Sequence, residues 1–442
     1  MKTKNNKSLS ADYRWLVVAF SIAFLIRLGA QIVFFDDLHA DPDAYVQISE
    51  NLVNHGVYGQ RFGDGPVQPT AYRPPLYPLI LSTLVFKGHL AIIGVALFHF
   101  LLGCGTIGFG FLYSRQFDLP RWSGGLMVLL VAMDPIQLRQ SSLVMTESLA
   151  TFLAAGALWY SGCLFSKGLP PWRLFLLGSL IGLAALCRPT FVIWAGLLTM
   201  AIVVVGRSAE GVSWRSAVCK AGLFLLGVLL LLSPWMARNQ GLLGRPLFAT
   251  THGGYTIFLG NNPWFFDYLE SDRTDIWNGE KDLATVVKQV RKQSLRPDGT
   301  VDELAKDRQY YTLAWKAIRE RPDDFVFATG TRVLRFWSFM PRNNGGSEKS
   351  RWIGVLSCVW YAPIFLMAFI GLVSCFQKRG NFSAIAPLLP GLLMILAIQG
   401  LHLLYWSNMR MRAPLVVILS LLAVMGFQAI WERMRPSQQS AS

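Results

Sequence analysis

The sequence predicts an all-α protein that crosses a membrane about ten times, with two long outward loops carrying juxtamembrane helices. Three observations support this reading. Of 442 residues, 53% are hydrophobic and only 15% charged, against about 25% charged in a soluble domain. Apolar runs close to the roughly 20 residues that cross a ~30 Å hydrocarbon layer recur along the chain, and the mean hydropathy is +0.38. Basic residues cluster in alternate short loops, as the positive-inside rule requires.

The apolar runs fall at about 15–35, 90–113, 122–138, 148–165, 173–187, 190–206, 217–235, 352–376, 383–402 and 413–431. The first is too long for the apolar core of a signal peptide and has no small-residue cleavage site. The short runs are accommodated by tilt and local bilayer thinning. One set of connections holds Lys2, Lys4, Lys7, Arg14, Arg115, Arg121, Lys167, Arg173, Arg207, Arg215, Lys220, Lys378, Arg379, Arg433 and Arg435. Of 41 basic and 26 acidic residues, that side takes 15 and 4, leaving 26 and 22 for the other. The sequence therefore predicts cytoplasmic termini, with residues 1–14 and 432–442 as tails. It also accounts for the net charge of +15 without a nucleic-acid partner. Cys104, Cys163, Cys187, Cys219, Cys358 and Cys375 have neither metal spacing nor a disulfide framework and read as small buried hydrophobes.

Between the runs the chain divides into a membrane core, 15–237, a long outward segment, 238–351, and C-terminal membrane helices, 352–431. The core includes a first outward loop, 36–88, and outward segments this long are usually functional. In this loop Ala44–His55 reads as an amphipathic helix with Tyr45, Ile48, Leu52 and Val53 on one side. The strip GDGPVQPTAYRPP follows, and then Leu76–Phe86, too short to span and read as an interfacial helix. The second segment opens on HGGYTIFLGNNP and carries two predicted helices, Val301–Arg319 and Asp323–Phe339. The second has Arg332 and Arg335 between its aromatic residues and Trp337 and Phe339 at headgroup depth.

Polar residues gather at the outward ends of the spans. Asp41, Asp43, Arg73, Glu147, Arg188, Arg238, Asn239, His252, Arg410 and Arg412 come from loops far apart in sequence yet share one depth, so they could line one cavity. Asp41 lies near the membrane surface, where partial desolvation strengthens a carboxylate as a base, and so suits general-base work. Asp43 reads as a metal ligand or a helix N-terminal acid. Glu147 lies between two apolar runs, where a charge is costly and is functional, paired or capping. Arginine's fork of donors suits phosphate. Each arginine alone also reads as a snorkelling interfacial residue, but several on the outward side run against the positive-inside bias. Arg27, within the first run, reaches the same cavity or pairs with an acid; His99 reads as a satisfied core histidine. No nucleotide-phosphate loop, zinc-protease motif or Ser-His-Asp signature is present. A catalyst on this face would therefore need an activated substrate carried by the lipid.

The stretches DPDAYVQIS at 41–49, RPPLYP at 73–78, DP at 134–135, SSLVMTE at 141–147, RP at 188–189, SPWMARN at 233–239, GNNP at 260–263 and RMRAP at 410–414 together resemble the GT-C membrane glycosyltransferases. The likeness is to the family-39 group related to protein O-mannosyltransferases and the lipid A aminoarabinose transferase. It runs over nearly the whole chain. It implies an inverting transfer of a sugar from a polyprenyl-phosphate-linked donor to a glycan, lipid or protein acceptor at the outer, periplasmic face of a bacterial inner membrane. The resemblance makes Asp41 the general base, with Asp43 standing in for the family's second acid and Glu147 matching the fold's later acid. It matches Tyr45 and places Arg73 at the donor phosphate; the outward set read from the residues adds Tyr77, Arg188, Arg238, Asn239, His252, Arg410 and Arg412 on the substrate side, with Arg238 or Arg412 joining Arg73 to neutralise the departing phosphate. The aminoarabinose branch binds a metal through a Glu at the position of Tyr72, so a divalent metal is compatible with the chain but not required by it. The alternative is a transporter or flippase for a lipid-linked sugar, which would carry charged or broken helices at mid-membrane and repeat symmetry; the charges here lie at one face and no repeat is visible.

Overall fold

A computed structural model describes residues 2–61, 65–271, 277–341, 348–377 and 385–434, with the side chains of 2–13, Glu280 and 348–350 omitted. Part of the GDGPVQP strip and the tail beyond residue 434 lie outside these residues.

The chain begins with α1 (Lys2–Val33) and a 3₁₀ turn, Phe35–His39. The first outward loop holds α2 (Tyr45–His55), a hairpin of β1 (Gly59–Arg61) and β2 (Val67–Pro69), α3 (Leu76–Ser82) and a minimal hairpin of β3 (Val85–Phe86) and β4 (His89–Leu90). The membrane bundle continues as α4 (Ile92–Ser114), α5 (Trp122–Ala132), α6 (Pro135–Gln140), α7 (Glu147–Lys167), α8 (Pro171–Cys187), α9 (Phe191–Ser208) and α10 (Trp214–Leu243). A second lobe follows: α11 (Gly253–Gly260), α12 (Pro263–Glu270), α13 (Gly279–Asp282), α14 (Ala284–Gln293), α15 (Glu303–Glu320) and α16 (Pro322–Phe336). The chain returns to the bundle with α17 (Glu348–Gln377), α18 (Leu389–Leu401) and α19 (Val416–Met434).

Among the described residues seven helices are long and apolar enough to cross a membrane, and three shorter apolar ones, at Trp122–Ala132, Pro171–Cys187 and Ala386–Leu401, match the remaining predicted spans. The predicted 122–138 run is two helices. Asp134 ends α5 and caps α6, its carboxylate accepting the Gln137 N–H at 2.9 Å, with Pro135 in the first turn. The interfacial helix predicted for Leu76–Phe86 ends at Ser82, where the chain turns into the β3–β4 hairpin. Val53 is exposed rather than packed; Ser49 is buried in α2 and donates to the Pro78 carbonyl at 3.1 Å.

Helices α8 and α10 approach backbone to backbone. A methyl group at Gly178 would strike the Phe224 carbonyl, and one at Gly227 the Phe175 carbonyl. Gly371 and Gly426 bring α17 and α19 together in the same way. Without a hydrophobic drive inside lipid, such small-residue contacts hold a bundle together. The second lobe has its own core around Phe258, Phe265, Phe266, Trp277 and Tyr310. Buried Arg332 docks it on the bundle, donating to the carbonyls of Leu403 at 2.8 Å and Gly260 at 2.6 Å. The two arginines of the predicted interfacial helix are thus internal to this lobe: Arg335 lies over the rings of Phe265 and Trp406.

Candidate functional site

Asp41 and Asp43 stand at the entry to α2. Ala44 takes a left-handed conformation, φ 61°, unusual for a residue with a Cβ, and turns the chain so that the helix start faces Asp41. One Asp41 oxygen accepts the Gln47 N–H at 3.0 Å, while the other is buried without a hydrogen-bond partner. Burial pushes the Asp41 carboxyl above its ordinary range, against the lowering effect of the Gln47, Val46 and Tyr45 N–H groups. Asp43 is committed to Arg73: the guanidinium donates to its carboxylate at 2.6 Å and to its backbone carbonyl at 2.9 Å. Arg73 also lies 4.4 Å from the Tyr72 ring centre and 5.4 Å from that of Tyr45.

Glu147 opens α7 and is 1% exposed. Arg410 and Arg188 converge on one of its oxygens, at 3.2 and 3.6 Å; the other oxygen has no partner. Further guanidinium nitrogens point at thioether sulfurs, Arg410 at Met145 (3.1 Å) and Arg188 at Met411 (3.4 Å), which are weak acceptors. Two guanidiniums against one carboxylate leave a net positive, under-satisfied site. Tyr45 lies within electrostatic reach of Arg73, Asp43, Glu147 and Arg188, so the two groups of charges form one cluster. Tyr77 is buried beneath it, edge-on to Tyr45 at 5.2 Å. Its hydroxyl meets His99 Nε2 at 2.9 Å, and His99 Nδ1 meets the Ser141 carbonyl at 2.9 Å. A carbonyl only accepts, so in the neutral imidazole Nδ1 carries the proton and Tyr77 donates to Nε2. His99 is a satisfied core residue that fixes Tyr77.

Four predicted residues, Arg238, Asn239, Arg412 and Arg27, make other contacts. Arg238 is spent on the carbonyls of Thr70 and Tyr58 and on Asn239, each at 2.9 Å, and Asn239 in turn donates to the Leu247 carbonyl. Tyr58 donates to the Arg73 carbonyl at 3.0 Å, so Arg238 braces the loop that carries Arg73. Arg412 is 2% exposed, donates to the carbonyls of Phe336 and Ser338, and lies over Tyr361. It belongs with Asp134 and Tyr361 in a separate buried group. Arg27 approaches that group too, bonding the Val131 carbonyl at 2.9 Å, and its charge acts on Asp134.

His252 lies on the second lobe but packs edge-on against Tyr72 at 4.5 Å. Burial, with Arg73 and Lys306 nearby, pushes its imidazole well below the ordinary range. The contact depends on a residue that sequence reasoning missed. Glu303 of α15 is buried and accepts from the Thr70 hydroxyl, the Ala71 N–H (3.0 Å) and the Thr251 hydroxyl (2.7 Å), clamping the two outward segments together. It lies in a polar stretch with no motif; only its position at a helix start marked it. Among the described residues no three His, Cys, Asp or Glu side chains gather to hold a metal. Tyr72, where the resemblance would call for a metal-binding Glu, brings no carboxylate and packs its ring on Arg73 and His252, so these residues do not fit that metal.

Neither a protein-family model nor a curated protein sequence matches the chain. Solved structures do. Over 95% of its length the chain matches 51% of the apo oligosaccharyltransferase of Archaeoglobus fulgidus, at 14% identity and a TM-score of 0.53. The match to AglB of the same organism, in complex with an inhibitory peptide and a dolichol-phosphate, covers 95% and 50% of the two chains at 14% identity and a TM-score of 0.52. A looser match, TM-score 0.41 at 14% identity, is ArnT from Cupriavidus metallidurans bound to undecaprenyl phosphate, covering 96% and 81%. The chain spans about half the length of the oligosaccharyltransferases it matches. At these identities the likeness is one of fold, and the chain is a multi-pass membrane protein of the GT-C fold.

Proposed function

We propose that the protein is an inverting glycosyltransferase that moves a sugar from a polyprenyl-phosphate carrier to an acceptor at the outer face of a bacterial inner membrane, with both termini cytoplasmic. The carrying observation is a half-buried carboxylate with one buried oxygen unspent, Asp41, near an under-satisfied arginine pair, Arg188 and Arg410, held on Glu147; the charges of Asp41 and Glu147 both act on Tyr77. The dolichol-phosphate in the AglB complex supports a lipid-phosphate ligand on this fold.

In this reading Asp41 takes the proton of an acceptor hydroxyl as its oxygen bonds the anomeric carbon. The bond from that carbon to the phosphate oxygen breaks, and its electron pair leaves with the polyprenyl phosphate. Arg188 and Arg410 exchange thioether contacts for phosphate oxygens, where fixed cations in a dry site stabilise developing charge. Glu147 draws the two guanidiniums together on one oxygen and aims them, and Asp43 aims Arg73. Neither residue is needed as a general acid, because the leaving phosphate requires no proton. Tyr45 and Tyr77 form the floor.

The test is release of labelled sugar from polyprenyl-phosphate mannose, glucose, galactose and arabinose by the purified chain with outer-envelope acceptors, with and without chelator. Turnover of one donor with inversion at the anomeric carbon is expected. Movement of intact lipid-linked sugar across vesicles without bond cleavage would replace this reading with a flippase.

A further inference from the structure

Away from the charge cluster, one flank of the bundle is not closed. Helices α4, α7 and α8 leave between them a cavity of about 260 Å³, lined by Phe109, Gly156, Trp159, Tyr160, Leu176 and Leu180. The rings build its wall by packing on one another: Phe109 stacks on Trp159 at 5.5 Å and meets Phe152 at 5.4 Å. Two glycines let them lie there. A methyl group at Gly105 would strike the Phe152 ring, and one at Gly156 would press on Phe109. Leu176 is 46% exposed, so the cavity is a groove open at the bundle surface. Its lining carries no charge. Packed proteins keep few voids larger than a water, and beside a membrane span such a groove is filled by a hydrocarbon chain.

One end of the groove is marked by charge. Along α7, Gly156, Tyr160, Cys163 and Lys167 recur at helical spacing, and along α8 Arg173, Leu176 and Leu180 do the same. A lysine and an arginine therefore continue the two faces that line the groove. Their charges are felt there: Arg173 acts on Tyr160, and both cations act on Cys163. Arg173 lies over the ring of Trp172 at 5.1 Å, a contact that leaves its in-plane N–H donors unspent. Among the described residues neither cation makes a hydrogen bond or an ion pair. Trp172 is 61% exposed, as suits a tryptophan at headgroup depth. This is the end of α7 opposite Glu147, on the order of 30 Å away along a helix of 21 residues. Basic residues alone at a span end reflect topology, and an apolar groove alone takes any chain. The two together match a lipid with an anionic headgroup, the ligand that basic pockets between membrane helices hold.

We propose that α4, α7 and α8 hold an anionic glycerophospholipid of the leaflet opposite the Asp41 cluster, with its phosphate at Lys167 and Arg173 and one acyl chain in the groove. The donor is not the occupant, because its phosphate belongs with Arg188 and Arg410 at the other end of the same helices. The inference does not depend on the glycosyl-transfer reading.

The full chain in detergent is titrated with dioleoylphosphatidylglycerol and with dioleoylphosphatidylcholine, and bound lipid is counted by native mass spectrometry. Wild type is compared with the double variant Lys167→Gln/Arg173→Gln and with Leu176→Trp, which fills the groove from its exposed rim. Melting of each variant in phosphatidylcholine shows that it is folded. Wild type is expected to hold one phosphatidylglycerol at least about tenfold more tightly than phosphatidylcholine. The double variant should weaken that binding about 30-fold, the scale of two cations near an anionic headgroup, and Leu176→Trp should abolish it. Equal affinity for the two lipids, or binding indifferent to the double variant, makes the contact ordinary annular lipid and overturns the inference. Binding that needs the cations but ignores Leu176→Trp leaves the groove without a role and overturns it too. Displacement of phosphatidylglycerol by polyprenyl phosphate would give the groove to the donor's tail, and a dimer that holds no phosphatidylglycerol would give it to a second copy; each contradicts the proposal.

Discussion

Two charged clusters sit at the loop-bearing end of the bundle, and they are finished differently. Around Asp134 both carboxylate oxygens are taken, one by the Gln137 N–H at 2.9 Å and one by the Tyr361 hydroxyl at 3.0 Å, and Arg412 donates to two backbone carbonyls, while one nitrogen each of Arg412 and Arg27 is buried without a partner. Around Asp41 and Glu147 each acid keeps an oxygen without a partner, and the arginines point at sulfur. A buried polar group left unpaired costs roughly 1–3 kcal/mol, more when charged, and in the second cluster it is the acids that are left so. We therefore propose the first cluster as a bolt and the second as the site.

Substitution of the acids separates the two most widely. Asp41→Asn should lower sugar transfer by about 10²- to 10⁴-fold, the usual scale for a general base, with polyprenyl phosphate binding retained. Asp134→Asn should lower the melting temperature and leave turnover per folded molecule within about threefold. Equal losses of turnover would erase the distinction.

The arginines come next. Arg188→Ala and Arg410→Ala should each raise the Kd for polyprenyl phosphate by about 30-fold or more, as expected when one partner of a desolvated charge pair is removed. Arg412→Ala should leave that Kd within about twofold while destabilising the chain by about 2–4 kcal/mol, because its bonds end on backbone carbonyls. Titration of each variant with polyprenyl phosphate decides between them.

Acidity sharpens the comparison further. Asp41 must be ionised to accept a proton, and burial raises its pKa. Activity should therefore fade on acidification starting above the ordinary Asp range near about 3.9. A pH profile of kcat/KM with its acid limb at or below about pH 4 would remove burial from the account.

The smallest expected effect lies on the second lobe. Burial raises the Asp307 carboxyl to about 6, above its unfolded value near about 3.9. The folded state thus favours the protonated form. That stability is fully present below about pH 4 and is lost as pH rises through about 6. Asp307→Asn stays neutral and keeps the Gly254 bond, so it should match wild type at low pH and melt higher above pH 6. Parallel melting curves at every pH would contradict this.

Most of the bundle was legible because lipid imposes a simple rule: apolar length reads directly as a span. The exceptions are local. Asp134–Pro135 split one run because a cap and a proline restart a helix, and the Leu76–Phe86 helix yielded to a two-residue hairpin at Lys87–Gly88, both at positive φ. Asp41, Arg73, Glu147, Arg188 and Arg410 could be assembled because each lies in a short stretch at a span end. The same rule did not set Arg238 and Arg412, which bond backbone carbonyls, apart from the others, since sequence does not say whether a guanidinium meets a ligand or a carbonyl. Glu303 and Lys306 were invisible for another reason. They contact a segment about 230 residues away, at Thr70, Ala71 and Tyr72, and no local pattern encodes such a pairing.

The most direct measurement is labelled-sugar release from the polyprenyl-phosphate donor panel by wild type, Asp41→Asn and Asp134→Asn, with the folded fraction of each determined first. Turnover by wild type and by folded Asp134→Asn, with none by folded Asp41→Asn, is the predicted result. An active Asp41→Asn beside a silent, folded Asp134→Asn would place the chemistry in the other cluster and contradict the account.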